Sequence, residues 1–426
     1  MFWRYHMFRF TDLIIFELTR SCNLNCKYCY QHTKPKQEVI STDTFCKIID
    51  RICEQRILSR RTDELLTLNF HGGECTLVGK EKFKAFAEYA VKTFSNNGLL
   101  FKLGLQTNGS LLDDEWLDIF RYYNMSLGVS FDGLYEPECQ RTSDTIRKKI
   151  YHNIVDAKKK GVQVGVLSVI TSSNIDSLQK DREFFRSKDI RMKSNFVEDV
   201  SCPENSKYEL SGKGIFEKFY KAEIDRVIKT GDLSEFHTRE LLFATLTDIL
   251  TMHESSYDTG CDGRFCGAGI TMIAVRPDGT MGYCDRYSDE FKENYIQNAL
   301  DYDFLGLKQL NACVKFDKIK SALLKETGCD RCRASYFCST GCMAFYFSKF
   351  KKYGIQKDLI CSQFLGFYDY VVENLTSILT TFKDKGIYIE SPNKILDFSS
   401  YWGDKLFKQH LLLEKMDDKF FRVKEV

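Results

Sequence analysis

The sequence predicts an α/β fold in which six strand–helix units form a partial (β/α)6 barrel, followed by a small cysteine-rich domain and a C-terminal helix. Two observations predict this architecture. Short apolar runs alternate with helical patterns from Leu13 to Phe196, and such alternation is typical of βα units around a parallel sheet. Farther along, the stretch from Cys261 to Cys361 holds nine of the chain's 17 cysteines.

The alternation can be followed element by element in the first part of the chain. The strand candidates are residues 13–18, 65–70, 101–106, 126–131, 162–170 and 190–196. The helix candidates are residues 42–58, 80–94, 113–123, 145–160 and 174–187. Ser41 and the segment 110–113 offer residue types that begin helices. Six units make an incomplete, TIM-like barrel, whose active residues should follow the carboxyl ends of the strands.

Downstream of the barrel the pattern changes. Two helix candidates, 216–230 and 238–252, form a charged bridge. After Cys361, apolar residues at helical spacing predict a packing helix. The predicted barrel, bridge, cysteine-rich domain and C-terminal helix with its tail occupy residues 1–198, 199–256, 257–365 and 366–426.

Composition limits the class of protein. A chain of 426 residues exceeds what one hydrophobic core usually serves. The 61 Lys and Arg residues nearly balance 59 Asp and Glu residues, which gives no electrostatic case for a nucleic-acid partner. No apolar run has the length of a membrane span and the N-terminus lacks a signal-peptide pattern, so we expect a cytoplasmic protein without membrane association. Because that compartment keeps thiols reduced, the cysteines indicate metal or redox chemistry.

Three cysteines, Cys22, Cys26 and Cys29, follow the first predicted strand at the spacing C-x₃-C-x₂-C. Thiolates suit iron–sulfur clusters, and a 4Fe-4S cube needs four ligands. With three protein ligands, one iron would be open to bind another molecule. This is the requirement for an iron that takes part in chemistry as well as carrying an electron.

The motif resembles that of the radical S-adenosylmethionine (SAM) enzymes, C-x₃-C-x-aromatic-C, with Tyr28 at the aromatic position. The resemblance implies that the open iron chelates the methionine part of SAM. Electron transfer would then cleave SAM to a 5′-deoxyadenosyl radical. The family's six-unit partial barrel agrees with the count of predicted units.

Segments after further strands resemble SAM-binding segments of this family. His71-Gly-Gly-Glu74 resembles the GGE segment that binds the SAM amino group, although Cys75 replaces the usual proline. Gln106-Thr-Asn-Gly109 resembles a segment of peptide-modifying members. Ser130-Phe-Asp132-Gly133 resembles one whose polar side chains face the SAM ribose and the substrate. An arginine is expected to hold the SAM carboxylate, and Arg141 is the first candidate, with Arg147 as the alternative. The expected cofactor-binding residues are Tyr28, Gly72, Gly73, Glu74, Gln106, Ser130, Asp132 and Arg141.

The C-terminal cysteines carry the most specific spacing in the chain, Cys329-x₂-Cys332-x₅-Cys338-x₃-Cys342. A structural zinc site is one interpretation, because C-x₂-C pairs bind zinc well. Together with the preceding Cys266-x₁₂-Gly279-x₄-Cys284 and the following Cys361, the order also resembles the SPASM domain of peptide- and protein-modifying radical SAM enzymes.

The SPASM resemblance implies two auxiliary 4Fe-4S clusters and therefore three clusters in all. The implied ligands are Cys261, Cys266, Cys284 and Cys342 for one cluster, and Cys329, Cys332, Cys338 and Cys361 for the other. Eight thiolates saturate both cubes, so neither would have an open iron to bind the substrate. Electron transfer is therefore the favoured role of the two auxiliary clusters. The other cysteines are Cys46, Cys53, Cys75, Cys139, Cys202 and Cys313. Cys46 and Cys53 are seven residues apart in a predicted helix, a spacing typical of buried residues, and are expected to be structural. Cys75 is expected to be an incidental thiol rather than a fourth ligand.

Asp285 follows Cys284 directly. Sulfatase-maturing members of the family use an aspartate at this position as the base that takes a substrate proton. A carboxylate in a desolvated pocket can serve this role. The alternative is a solvated acid or a partner of Arg286.

These features predict a radical SAM oxidoreductase that abstracts hydrogen from a carbon of a ribosomal precursor peptide or a protein. The leading hypothesis is a peptide maturase that installs a thioether or carbon–carbon crosslink. The alternative is an anaerobic sulfatase-maturing enzyme that oxidises Cys or Ser to formylglycine. Sulfatase-maturing enzymes typically have a Lys-Pro-x-Gly type segment before the first cysteine. Residues 17–21 of this chain are more similar to the corresponding segment of peptide maturases, which favours the first hypothesis. A zinc-ribbon binding or scaffold protein is the alternative from another class.

The expected partners follow from this chemistry. They are the peptide or protein substrate and an external one-electron donor of the flavodoxin or ferredoxin type. Many peptide maturases begin with a winged-helix domain that binds the leader of the precursor peptide. Only about twelve residues precede the first predicted strand here. Leader recognition would therefore need the C-terminal tail, another surface or a separate leader-binding protein.

Overall fold

The computed structural model forms two compact units, Met1–Glu209 with Gly267–Ala322 and Leu210–Cys266 with Leu323–Val426. The residues whose structure is described are 11–33, 39–197, 207–250, 268, 271–286, 295–300, 325–326, 328–334, 338, 344, 358–387, 389–391 and 394–396. The predicted division into four domains stays a prediction.

The first unit is built on a nine-stranded sheet, and β1 (Leu13–Thr19) lies in its interior. Five strands follow on one side of β1 in chain order and all run parallel to it. These are β2 (Leu66–Gly72), β3 (Phe101–Thr107), β4 (Ser126–Ser130), β5 (Gln163–Ile170) and β6 (Arg191–Phe196). The helices between them are α1 (Thr42–Leu58), α2 (Lys80–Asn96), α3 (Asp114–Tyr122), α4 (Asp144–Lys159) and α5 (Leu178–Ser187). The predicted α/β fold with a partial barrel is confirmed.

Three short strands extend the sheet on the other side of β1 and were not predicted. They are β7 (Met272–Val275), parallel to β1, and β8 (Thr280–Gly282) and β9 (Tyr295–Asn298), each antiparallel to its neighbour. Leu13 therefore pairs with Thr67 on one side and with Met272 on the other. Since β1 is covered along both edges and both faces, its nearly continuous apolar run is explained.

Polar side chains determine where the helices begin. Ser41 accepts a hydrogen bond from the Thr44 amide at 3.0 Å and caps α1, as predicted. Asp113 caps α3 in the same way. The helix predicted from residue 174 begins later, because the Asn174 side chain accepts from the Thr171 amide and donates to the Val169 carbonyl. These two bonds stabilise a turn in place of the first helical residues.

Aromatic side chains between β1, β2 and the first three helices form the core of the first unit. The ring of Phe45 lies 4.3 Å from that of Phe86 and 5.0 Å from that of Phe16. Phe83 contacts Trp116 edge to face at 5.3 Å. Removing one such buried ring costs about 3–5 kcal/mol. This rigid layer supports the strand ends that carry the candidate site.

The second unit is mostly helical among its described residues. Its helices are α6 (Gly212–Ile215), continued by a π-helical turn at Phe216–Tyr220, α7 (Lys221–Thr230), α8 (Phe236–Leu250), α9 (Asp358–Glu373) and α10 (Leu375–Lys385). A two-stranded hairpin pairs β10 (Ile389–Ser391) with β11 (Lys394–Leu396). Gly366 of α9 packs against the ring of Phe216, where a Cβ would lie 2.8 Å away. The amphipathic stretch after Cys361 is confirmed as packing helices, with Phe367, Ile378 and Phe382 fully buried.

Candidate active site

The three cysteines of the first motif lie on the loop that follows β1, where the parallel strands end. Cys26 is buried, Cys29 is partly buried and Cys22 is exposed. Two backbone bonds hold this loop to the segment after β2, from Gly73 N–H to Thr19 O at 2.9 Å and from Glu74 N–H to Ser21 O at 2.8 Å. A side chain on Gly73 would overlap the Ser21 carbonyl oxygen. Glycine is therefore required here because the two loops touch.

Nitrogen donors face the sulfurs of Cys22 and Cys26. Asn108 Nδ2 lies 3.7 Å from Cys22 Sγ, and the Leu24 amide donates to the same sulfur at 3.4 Å. Arg141 Nη1 lies 3.8 Å from Cys26 Sγ. Burial raises the pKa of Cys26 to about 12, and the charge of Arg141 opposes this shift. Soft thiolates with facing N–H donors fit a metal cluster, since coordination deprotonates the thiol and the donors stabilise its charge.

No group of three or more Cys, His, Asp or Glu side chains in the described part of the chain is placed to hold a single metal ion. A 4Fe-4S cube takes thiolate ligands, and the cysteine loop supplies three of them. The donor set fits the cluster that the motif predicts.

Three predicted SAM-binding residues meet beside Cys26. The Tyr28 hydroxyl donates to Asp132 Oδ2, and Arg141 Nε lies 3.1 Å from Asp132 Oδ1. The Arg141 guanidinium also lies 5.5 Å from the centre of the Tyr28 ring. Asp132 accepts a further bond from the Val169 amide at 2.8 Å. Burial raises the pKa of Tyr28 well above its usual value, so Tyr28 stays a donor to the carboxylate.

The structure distinguishes the two arginine candidates by location. Arg147 is bound elsewhere, with Nη2 2.8 Å from Asp144 and Nη1 3.7 Å from Glu136. Arg141 is the one that reaches the cysteine loop. Its contact with the SAM carboxylate stays a prediction.

Glu74 is 1% exposed and already accepts four hydrogen bonds. The donors are Thr76 N–H at 3.1 Å, the Thr76 hydroxyl at 2.6 Å, the Thr107 hydroxyl at 2.6 Å and Asn108 N–H at 2.6 Å. A carboxylate has about four lone-pair positions. Glu74 therefore joins the end of β2 to the end of β3. Its predicted contact with the SAM amino group would be a fifth interaction, in addition to these four hydrogen bonds.

Gln106 and Ser130 are brought together on neighbouring strands, with Gln106 Nε2 donating to Ser130 Oγ at 2.7 Å. The buried Cys75 thiol donates to the Gln106 carbonyl at 3.2 Å. Cys75 is thus bound as a neutral thiol to the backbone, in agreement with its interpretation as an incidental cysteine.

Asp285 lies in a partly enclosed polar cluster, which we call the Asp285 cluster, with Tyr30 and His71. The Tyr30 hydroxyl donates to Asp285 Oδ2 at 2.9 Å, and His71 Nε2 lies 3.9 Å from the same oxygen. The Asp285 side chain is only 14% exposed, which contradicts the alternative of a solvated acid. His71 Nδ1 is buried with no hydrogen-bond partner in the described part of the chain. Burial and the neighbouring carboxylate raise the pKa of Tyr30 well above its usual value.

The auxiliary-cluster cysteines are described only in part. Cys284 belongs to the first unit, and its sulfur accepts from the Arg286 amide at 3.3 Å. Cys332 in the second unit accepts from the Ala334 amide at 3.4 Å. The i to i+2 bond at Cys22 has the same form, and it is suited to stabilising a thiolate. Cys329, Cys338 and Cys361 are also in the second unit. Cys202, Cys261, Cys266, Cys313 and Cys342 lie outside the described residues.

Sequence reasoning missed Tyr30, His71 and Asn108 as site residues. Tyr30 and His71 stand next to Cys29 and Gly72, which were identified, and Asn108 lies in the segment 106–109, of which only Gln106 was identified. Adjacency to a motif was the available signal. Their partners are far away in the sequence, so the pattern could not show which of them meet.

Known proteins resemble this chain over most of its length. The model of the radical SAM superfamily matches residues 16–185. The cysteine-type anaerobic sulfatase-maturating enzyme of Clostridium novyi (strain NT) is 24% identical over 380 residues, which cover 87% of this chain and 97% of the relative.

Two solved structures share the fold. Native anSMEcpe with bound AdoMet and Cp18Cys peptide has a TM-score of 0.65 at 20% identity, covering 86% of this chain and 98% of that one. Streptococcus suis SuiB bound to precursor peptide SuiA has a TM-score of 0.57 at 16% identity, covering 80% and 74%. No helix in the described part of the chain is long and apolar enough to cross a membrane.

Proposed function

We propose that this radical SAM enzyme, whose radical SAM domain lies at residues 16–185, oxidises a side chain of a peptide or protein, with Asp285 accepting the substrate's proton. The observation that carries the proposal is the Asp285 cluster. It places a carboxylate, a tyrosine hydroxyl and an imidazole next to the loop of Cys22, Cys26 and Cys29. Two of its members, Tyr30 and His71, are direct neighbours of the cysteine and glycine motifs.

Cys22, Cys26 and Cys29 would hold a 4Fe-4S cluster, and Tyr28, Asp132 and Arg141 would form part of the SAM site. When bound, cluster and SAM supply a 5′-deoxyadenosyl radical that abstracts hydrogen from carbon. The remaining proposed SAM contacts are Gly72, Gly73, Glu74, Gln106 and Ser130. The Tyr28–Asp132–Arg141 group supports this role because it is buried beside Cys26 and excludes water from that side.

The Asp285 carboxylate is suited to take a proton. The Tyr30 hydroxyl donates to Oδ2 and orients the carboxylate, while the low exposure of Asp285 limits competition from water. A substrate carbon that has lost a hydrogen atom must also lose a proton and an electron. A serine then becomes the aldehyde directly, a cysteine becomes a thioaldehyde that water hydrolyses to the aldehyde and H₂S, and a crosslink results when a second group bonds to the carbon. Asp285 supplies the acceptor for the proton, and the auxiliary clusters would take the electron.

Oxidation of Cys or Ser to formylglycine is one candidate outcome. The C. novyi relative is named a cysteine-type anaerobic sulfatase-maturating enzyme and aligns over nearly its whole length. This likeness supports a substrate cysteine whose thiol proton passes to Asp285.

A thioether or carbon–carbon crosslink in a precursor peptide is the second candidate. The segment before the first cysteine supports it, and Glu17 and Arg20 of that segment form a buried ion pair at 2.9 Å. The first step and the proton acceptor are the same for both outcomes. The product is the discriminating observation.

The test uses reconstituted enzyme under anaerobic conditions with SAM, a reductant and Cys- or Ser-containing peptides. On a cysteine peptide, formylglycine replaces the side-chain sulfur by an aldehyde oxygen, whereas a crosslink removes two hydrogens and keeps the sulfur, so mass spectrometry separates them. On a serine peptide both products have lost two hydrogens, and a hydrazide reagent that adds only to the aldehyde separates them. Asp285→Asn should still form 5′-deoxyadenosine but lose product. Asp189→Asn, the same change at a side chain that is 94% exposed, should behave as wild type. Unchanged product with Asp285→Asn would reject the proposed base.

The auxiliary clusters and the partners are further parts of this proposal. Two clusters at the eight downstream cysteines, in addition to the first, would give about twelve irons per chain. A value near four, or stoichiometric zinc, would refute them. An external flavodoxin- or ferredoxin-like donor would deliver the first electron, and a separate leader-binding protein would recruit a precursor peptide.

A further inference from the structure

We infer that Asn108 tunes the reduction potential of the cluster at Cys22, Cys26 and Cys29 by donating an N–H to the Cys22 sulfur. The inference rests on the proposed function only in that this cluster is present. It concerns how readily the cluster accepts its electron, whichever peptide is modified.

Ser110 fixes the direction of the Asn108 side-chain amide. The Ser110 backbone N–H lies 2.9 Å from Asn108 Oδ1, and the Ser110 hydroxyl lies 2.7 Å from the same atom. A backbone N–H can only donate, so the atom facing it must be the carbonyl oxygen of the side chain. The NH₂ group therefore points to the other side, toward Cys22 and Asn23.

Both N–H bonds of this NH₂ group have acceptors. Nδ2 donates one to Asn23 Oδ1 at 2.9 Å and the other to Cys22 Sγ at 3.7 Å. Asn23 Nδ2 donates in turn to the Ser110 hydroxyl at 2.9 Å, which closes a ring of three side chains. Asn108 is 7% exposed, and its own amide donates to Glu74 at 2.6 Å. The donor to Cys22 is thus held by a complete network.

The hydrogen bond to the Cys22 sulfur has an electrostatic effect on the cluster. A hydrogen bond to a ligating sulfur withdraws negative charge from the cluster, and it stabilises the reduced form most because that form carries more charge. The charge of the Glu74 carboxylate also acts on Cys22, in the opposite direction. Asn108 contacts both groups, and its N–H bond to the sulfur offsets a charge that would otherwise make reduction harder.

Arg141 faces the Cys26 sulfur as Asn108 faces the Cys22 sulfur, but it is less suited to a test by substitution. Its guanidinium reaches that sulfur at 3.8 Å but also pairs with Asp132. Substituting Arg141 would disturb several contacts at once. Asn108→Asp is the narrower change, because it keeps the shape and the oxygen that accepts from Ser110 and removes only the N–H bonds to Cys22 and Asn23.

The experiment is an anaerobic potentiometric titration of the reconstituted holoenzyme, followed by EPR. The cluster with the open iron is identified as the one whose reduced signal changes when SAM is added. Asn108→Ala should make its reduction about tenfold less favourable, which is a potential about 59 mV lower for one electron. Asn108→Asp should lower it further, because a donor is replaced by a negative charge. Iron content and thermal unfolding are measured for each variant.

Asn153→Ala is the matched control. Asn153 Nδ2 donates to the Gly109 carbonyl at 2.8 Å, so it holds the same turn without serving as the donor to Cys22. Its potential should equal that of wild type. An equal drop with Asn153→Ala, or a wild-type potential with Asn108→Asp, would overturn the inference while leaving the proposed function intact. A wild-type enzyme without a SAM-sensitive cluster would overturn both.

Discussion

Asp132→Asn should destabilise the first unit by an amount typical of a broken buried ion pair. The Asp132 side chain is 1% exposed and that of Arg141 is 11% exposed. The substitution keeps the shape of the side chain but removes its charge, which leaves the Arg141 guanidinium buried without a counter-charge. Breaking such a pair from one side costs about 3–5 kcal/mol. We expect a loss of this size in the free energy of unfolding.

The measurement is urea denaturation of the iron-free protein, followed by tryptophan fluorescence, to which the buried Trp116 contributes. Asp189→Asn breaks the exposed pair with Lys158 and should cost less than about 1 kcal/mol. Combining Asp132→Asn with Arg141→Met should cost less than the sum of the single changes, by on the order of 2 kcal/mol. A loss with Asp132→Asn no larger than that with Asp189→Asn, or strict additivity, would refute the pair as described.

Three further predictions concern the cysteine loop and its surroundings. Cys26→Ala should abolish 5′-deoxyadenosine formation, measured by chromatography, while Cys75→Ala should retain wild-type iron content because that thiol binds a carbonyl; iron loss in the latter would make Cys75 a ligand. Gly73→Ala should displace the cysteine loop and lower iron content, whereas Gly165→Ala, whose Cβ would lie 3.5 Å from its nearest atom, should not. Burial, reinforced by nearby negative charge, raises the pKa of Glu136 to about 7, so its carboxyl holds a proton in the folded state at a pH where the unfolded chain has lost it. Stability should fall as pH rises from about 4.5 to 7, and Glu136→Gln should remove on the order of 2 kcal/mol of that fall in pH-dependent denaturation curves; an unchanged slope would contradict it.

Much of the fold could be predicted because the barrel strands and helices each carry a local pattern. The apolar run of β1 and the cap at Ser41 are readable without knowledge of their neighbours. Strands β7 to β9 have three or four residues each and lie outside the regular alternation. Their pairing with β1 joins residues that are far apart in the sequence, and a short run does not specify such a partner.

The candidate site shows the same limit. Tyr28, Asp132 and Arg141 were identified one by one, and their meeting follows from strands that end at one edge of the sheet. The role of Glu74 as acceptor of four bonds was not visible, because it depends on Thr107 and Asn108 of the next strand. Asp285 was identified from its neighbour Cys284, while its contacts with Tyr30 and His71 required the placement of β8.

The pairing of β7 with β1 has a consequence for which parts of the sequence can vary in length and composition. The chain leaves the first unit after Glu209 and returns to it at Gly267, so the sheet is assembled from two separate stretches. Through β7 and β8, the hydrogen bonds of β1 join Asp285 and the cysteine loop to one sheet. Leu210–Cys266 belongs to the second unit. Changes in length or composition there can accumulate without altering the distance from Tyr30 to Asp285, which leaves the chemistry constant while other parts of the protein diverge.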